Sequence, residues 1–275
     1  MCIKFVLASE LQRIEPRFNA LLGPNTPVLP KLYAVSEGDE TYVITCQDPH
    51  LIQAFTFGMT PFYAAEPLNL INARVEGDKN GADNPDYNGS KAIFLKQAFR
   101  KPIQSQRCLV IADAYYEWSD QNKPYLVYLQ NKNRPFAFAG LYDQWKHPES
   151  GVTIYSFTII TTTANELLQS IEVKRMPVIL SRSNETDWIK ASNPLSEALR
   201  VLLAYPYDSM NAYPVSESVN WKCNNDPSML NPSGDKLLKE MNQAPVLMGR
   251  KFHKEKPHSD KPWFQSHQES GENKE

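Results

Sequence analysis

Residues 108–142, CLVIADAYYEWSDQNKPYLVYLQNKNRPFAFAGLY, decide the fold class. They contain three apolar and aromatic runs, CLVIADAYYEW (108–118), PYLVYL (124–129) and PFAFAGLY (135–142), separated by the polar turns SDQNK and QNKNR. Short runs rich in Val, Ile, Tyr and Phe between such turns read as strands, so three strands in meander order are expected. Working outward, VTIYSFTIITTTA (152–164) supplies a fourth strand and PVIL (177–180) a fifth. Helical patterning appears in SKAIFLKQAFRK (90–101), where Ile93, Phe94, Gln97 and Ala98 fall on one side, and in ANELLQSI (164–171) and PLSEALRVLL (194–203). The expectation is an α+β fold in which strands dominate and helices flank them.

The totals suit such a fold. With 275 residues, 41% of them hydrophobic, and 12 Phe and 13 Tyr, the chain can build a substantial core. Its 29 Lys+Arg against 31 Asp+Glu give a net charge of −2, which excludes a uniformly basic coat but not a local basic groove. No run approaches the roughly 18 apolar residues of a membrane span, and MCIKFVLASELQRIEP lacks the apolar region of a secretory signal, so a cytoplasmic protein without membrane contact is expected. Cysteines at 2, 46, 108 and 223 form neither a CxxC pair nor a Cys/His cluster, so no disulfide framework, zinc site or cofactor is implied. EGDKNGADNPDYNG (76–89) reads as an exposed loop, and the polar segment beyond about Gly249 as a disordered tail.

Several residues could carry chemistry. Cys2 follows a removable initiator Met, and its exposure as the N-terminal residue creates a 1,2-aminothiol. An α-amine with a pKa of about 7.7–8.0 and a thiol near 8.5 are then both available on adjacent carbons. Such a group can attack an amide, or condense with an aldehyde to an imine that the thiol closes into a thiazolidine. An incidental cysteine is the alternative. Glu117 ends an apolar, aromatic strand, where burial would raise its pKa and suit it to acid–base work; a solvent-facing carboxylate is the other reading. In INARVE (71–76), Asn72 and Arg74 alternate with apolar residues and share one face, which suits substrate orientation and phosphate binding, or a plain solvated face. The stretch 88–107 holds Lys91, Lys96, Arg100, Lys101 and Arg107 without an acidic residue, and reads either as a basic groove or as a solvated helix face.

Together these segments resemble the SRAP (SOS response-associated peptidase) family, which protects abasic sites in single-stranded DNA. The similarity is carried in order by Met1-Cys2, PRFN (16–19), FGMTPFYA (57–64), INARVE (71–76), RCLVIADAYYEW (107–118), FAGLYDQW (138–145), TIITTTAN (158–165), KRMPVIL (174–180) and YPVSESVN (213–220). It implies one mainly-β domain over about residues 1–232 with flanking helices and a basic groove for single-stranded DNA, followed by an extension over 233–275. It also implies a thiazolidine DNA–protein cross-link formed by Cys2, with Glu117 as the acid–base group and Asn72 as its positioning partner. Arg74 and Arg175 would hold flanking phosphates, Lys91 and Arg107 would add charge to the groove, and Tyr63 and Trp118 would offer stacking faces, with Phe57 assigned to the core. The implied protein is a monomer in the cytoplasm, associated with the nucleoid, whose partner is single-stranded DNA bearing abasic sites.

The chain also departs from the family. Members carry a histidine shortly before the Arg-Met-Pro segment, whereas this chain reads SIEVKRMP, which places Glu172 or Val173 at that position. Glutamate can transfer protons and valine cannot. The formal label would be self-processing cysteine peptidase or lyase. Two rivals stand beside it: an N-terminal cysteine amidohydrolase acting on a small amide, and a non-catalytic single-strand binding module.

Overall fold

A computed structural model of the chain describes residues 4–130, 134–221 and 225–240. Its strands are β1 (Lys4–Leu7), β2 (Leu21–Leu22), β3 (Leu32–Val35), β4 (Glu40–Thr45), β5 (Leu51–Phe57), β6 (Asn72–Arg74), β7 (Arg107–Ala112), β8 (Ala114–Trp118), β9 (Pro124–Leu129), β10 (Phe136–Lys146), β11 (Thr153–Thr163), β12 (Arg175–Pro177), β13 (Ile179–Leu180) and β14 (Met210–Pro214). The helices are α1 (Leu11–Phe18), α2 (Gln97–Arg100), α3 (Pro102–Ser105), α4 (Glu166–Gln169), α5 (Arg182–Ile189) and α6 (Leu195–Arg200). The fold is α+β and dominated by strands. The helices expected over 90–101, 164–171 and 194–203 are present but shorter, the first broken into a 3-10 turn at Ile93–Leu95 followed by α2.

The run 108–118 is not one strand. It divides at Asp113 into β7 and β8, which belong to different sheets. β8 pairs with β9 in a hairpin and with β1, giving a five-stranded sheet of order β14-β9-β8-β1-β3. β7 pairs with β4 and β10 in the larger sheet, so β9 and β10 are not neighbours and the expected meander does not form. In the larger sheet β11 pairs with β10 on one side and, through Ser156 and Phe157, with β5 on the other. That last pairing closes a ring, β4-β5-β11-β10-β7, which leaves those strands without open edges. The ring is tight at Gly140, where a Cβ would stand 2.6 Å from Val110 Cγ2 and 2.9 Å from Cys108 Sγ.

Alternation distributes the side chains over three apolar clusters. Cys108, Val110 and Phe138 of the ring share a core with Phe5, Tyr115 and Val127 from the inner face of the five-stranded sheet. Leu109 and Ile111 point the other way, beneath Ile14, Ile103, Trp188 and Ala198 of the helical layer. Both faces of β7 are therefore covered, which is why it reads as an unbroken apolar run rather than an alternating one. The outer face of the five-stranded sheet, with Val6, Tyr116 and Leu126, is covered by Val219, Met229 and Leu230. Residues 233–240 continue along β14, with the Ser233 amide donating to the Pro214 carbonyl at 2.8 Å and the Leu237 amide to that of Ala212 at 2.8 Å. The tail beyond Glu240 lies outside the described residues.

Asp113 fixes the division of the run. Its carboxylate accepts the amides of Ala8 and Ser9, each at 2.7 Å, and the Ser9 hydroxyl at 2.6 Å, while its own amide donates to the Val6 carbonyl at 2.7 Å. Asp113→Ala strips the acceptor from those amides and is expected to cost about 2–3 kcal/mol of stability, read as a lower urea midpoint at unchanged slope.

Candidate functional site

The site begins with strand parity. Tyr115 lies in the core between the sheets, so Glu117, two residues on, projects to the same inner side. Its side chain is 1% exposed. Burial pushes its carboxyl up to about 7, so at neutral pH a large fraction is protonated. β1 runs antiparallel to β8 with Lys4 opposite Tyr116, one position from Glu117. Cys2 itself lies outside the described residues. The Lys4 amine is directed to the other face of the sheet, where Nζ donates to the Val219 carbonyl at 2.6 Å and burial lowers its pKa.

The opposite wall comes from the larger sheet. β6 pairs in parallel with β11, Asn72 opposite Ile159 and Arg74 opposite Thr161, so Asn72 and Arg74 share the side that carries Ile159 into the inter-sheet core. β12 pairs with the end of the same strand, and Arg175 reaches across to Thr161, its Nη2 donating to the carbonyl at 2.9 Å. Arg175 is 2% exposed. The same Nη2 donates to Glu76 Oε2 at 2.8 Å, and Nη1 to Asp83 Oδ1 at 3.0 Å. Arg74 holds the same Asp83, Nη1 to Oδ1 at 3.3 Å and Nη2 to Oδ2 at 3.3 Å. Asn72, Arg74 and Arg175 thus stand on one wall and Glu117 faces the same core from the other.

Other expected residues are placed elsewhere. Arg107 is fully buried, and its guanidinium donates to the carbonyls of Trp188, Ile103, Gln104 and Lys190 at 2.7–3.1 Å. Those bonds spend its charge in tying α3 and α5 to β7, so it is a structural residue and not a groove lining. Lys91 Nζ donates to the Leu199 carbonyl at 2.7 Å at the C-terminal end of α6, where a cation complements the free carbonyls. Lys96 pairs with Asp78 at 2.6 Å. The acid-free run 88–107 is therefore dispersed over separate partners rather than gathered into one groove. Trp118 follows the parity of Tyr116, so its ring lies on the outer face of β8, opposite Glu117, with Nε1 donating to Asn220 Oδ1 at 2.7 Å. Phe57 is core, stacked on Phe157 at 5.2 Å. Tyr63 is exposed and meets Phe62 edge-on at 5.5 Å, with Lys101 Nζ 4.8 Å from the centre of the Phe62 ring.

At the position of the family histidine, Val173 is packed in the core and Glu172 is exposed, with a left-handed φ of 63°. A hydrogen bond with the Asp120 carboxyl raises the pKa of Glu172, and Asp120 lies two residues beyond Trp118 in the β8–β9 turn. Three residues in contact with these groups were not singled out from the sequence. Glu76 continues the parity of Asn72 and Arg74 and could have been found from that spacing; Phe62 adjoins Tyr63 without a distinguishing pattern; Asp83 sits in a loop whose composition predicts only turns. Among the described residues no cluster of His, Cys, Asp and Glu has the makings of a metal site, and no helix is long and apolar enough to cross a membrane.

Residues 1–222 match the model of the SOS response associated peptidase (SRAP) family. The chain belongs to that family. Among its curated relatives, the abasic site processing protein YoqW of Bacillus subtilis (strain 168) is 34% identical over 239 residues, spanning 84% of this chain and 99% of that one. The abasic site processing protein HMCES of Xenopus tropicalis is 27% identical over 239 residues, spanning 79% and 66%. A solved structure of a protein from Bacteroides thetaiotaomicron superposes with a TM-score of 0.72 at 25% identity, covering 84% of this chain and all of that one.

The Glu117 carboxyl has a stability signature. Folding raises its pKa from the ordinary 4.5 to about 7, so the folded SRAP chain retains a proton that the unfolded chain has lost in that interval. Stability is accordingly complete below about pH 4.5 and falls as pH rises through about 7, by up to about 3 kcal/mol from this group. Glu117→Gln is expected to raise the melting temperature at pH 8 and to lose that advantage toward pH 5.

Proposed function

We propose that this protein captures abasic sites in single-stranded DNA by forming a covalent bond through Cys2. The observation that carries the reading is Glu117, a buried carboxyl with a pKa of about 7 beside the strand that leads to the N-terminus. One residue, Ile3, separates Cys2 from Lys4, so covalent geometry holds the two Cα atoms within ~7 Å of each other whatever the conformation. Lys4 lies opposite Tyr116, one position from Glu117. The family membership and the abasic site processing relatives support the substrate class.

The chemistry starts from the closed deoxyribose of an abasic site. Protonated Glu117 delivers its proton to the ring oxygen as the anomeric hydroxyl loses one, which opens the ring to the aldehyde. After Met1 is removed, the α-amine of Cys2 adds to the aldehyde carbon, and loss of water gives the imine. The thiol then adds to the imine carbon, its proton passing to nitrogen, and the thiazolidine closes. Asn72 orients the sugar, while Arg74 and Arg175 hold a flanking phosphate and raise the local concentration of the aldehyde. The exposed Phe62–Tyr63 pair stacks on neighbouring bases. Glu172 with Asp120 takes the proton-transfer place of the family's histidine.

Incubation with an oligonucleotide carrying one abasic site is expected to give a heat-stable, protein-sized shift on a denaturing gel that Cys2→Ala removes. Persistence of the shift in Cys2→Ala would move the bond to another amine, and salt-sensitive binding without any shift would make the protein a binding module. The rate is expected to peak between the pKa of Glu117, about 7, and that of the α-amine, about 7.7–8.0. Glu117→Gln is expected to slow capture roughly 100-fold and to abolish the loss of rate assigned to deprotonation of this carboxyl. Glu172→Gln is expected to leave capture intact and to slow release of the cross-link, followed by exchange onto a labelled second oligonucleotide.

A further inference from the structure

The two arginines assigned above to a phosphate already hold an anion from this chain. The Asp83 carboxylate spans both outer nitrogens of Arg74 at 3.3 Å and accepts from Arg175 Nη1 at 3.0 Å. A two-oxygen contact to a guanidinium is also how a phosphodiester binds. Arg175 cannot turn aside, because its other nitrogens are tied to Glu76 and Thr161, so its Nη1 faces whatever anion lies beside Arg74. The site is open to solvent on the Arg74 side, with side-chain exposures of 33% for Arg74, 18% for Asp83 and 2% for Arg175.

The loop presents this carboxylate by construction. Asn80 is buried and bonds Asn84 in both directions, Nδ2 to its carbonyl at 3.0 Å and Oδ1 from its amide at 2.9 Å. Between them Asp83 adopts a left-handed φ of 54°, a conformation that Asp tolerates better than most residues. Gly77, at φ 58°, starts the turn where a Cβ would stand 2.9 Å from the Ala92 carbonyl oxygen.

We infer that Asp83 is the internal occupant of the phosphate site formed by Arg74 and Arg175, and that it sets the affinity and selectivity of that site. The inference rests on the reading given under Proposed function. A tethered carboxylate competes at an effective concentration in the millimolar range, so a lone small anion displaces it poorly. A nucleic-acid strand, anchored by further contacts on either side, displaces it readily. Asp83 therefore favours polymers over mononucleotides and free phosphate.

Binding of a fluorescent oligothymidine without abasic sites tests this apart from the covalent chemistry. Asp83→Asn is expected to bind roughly three- to tenfold more tightly than the parent. Asp78→Asn, which removes an equal charge from the same loop but away from the arginines, is expected to change affinity less than twofold. The gain from Asp83→Asn is expected to vanish in an Arg74→Ala background. Asp83→Ser carries the same expectation should the asparagine variant fold poorly. Unchanged or weaker binding by the Asp83 variants, an equal gain from Asp78→Asn, or a gain that survives Arg74→Ala overturns the inference alone. A parent whose affinity ignores Arg74→Ala overturns the phosphate assignment itself, and Asp83 falls with it.

Discussion

The carboxylate of Asp113 is the fastening on which this structure turns. It binds the chain just past β1 at the same point where the run 107–118 passes from one sheet to the other. Those hydrogen bonds fasten the end of β1 to the start of β8, and the pairing of the two strands sets Lys4 opposite Tyr116, one position from Glu117. Were the run to continue straight, its last residues would extend the closed ring, and the glutamate would have no neighbouring N-terminal strand. The site is thus a product of topology: its two walls come from two sheets that one bent run ties together.

Several cations of this molecule are held by internal partners. Arg107 and Lys91 close helix ends through carbonyls, and Arg175 is locked between Glu76, Asp83 and Thr161. A buried cation requires a full set of acceptors, since leaving one unpaired costs several kcal/mol. With a net charge of −2, the polyanion attraction that the proposed function requires would come from a few arginines whose partners can be exchanged. Glu117 is the reverse case, a carboxyl whose surroundings favour its neutral form.

What the sequence displays depends on how far apart the interacting residues lie. The shared face of Asn72 and Arg74 was legible because a period of two is a local property, and Glu117 stood out as a carboxylate closing an apolar, aromatic run, while its burial became clear only from its parity with Tyr115 in the fold. The break at Asp113 was not legible, since one acid between two alanines disturbs an apolar strand very little, and its reason lies in amides more than 100 residues upstream. Arg107 misled for the same cause: four carbonyls from α3 and α5 decide its burial, and none is visible beside it. Trp118 shares a motif with Glu117 yet occupies the other face, because adjacent residues on a strand point in opposite directions.

Both outer strands of the five-stranded sheet are closed off by short, irregular pieces of chain. On β3 the Tyr33 amide is taken by the Asn225 side chain at 2.6 Å, and on β14 the carbonyls of Pro214 and Ala212 are taken by Ser233 and Leu237. An uncovered strand is a template on which a second copy can add and begin aggregation. The residues that cover β14 lie beyond the segment matched by the family model, so the protection of that edge is supplied from outside the matched region.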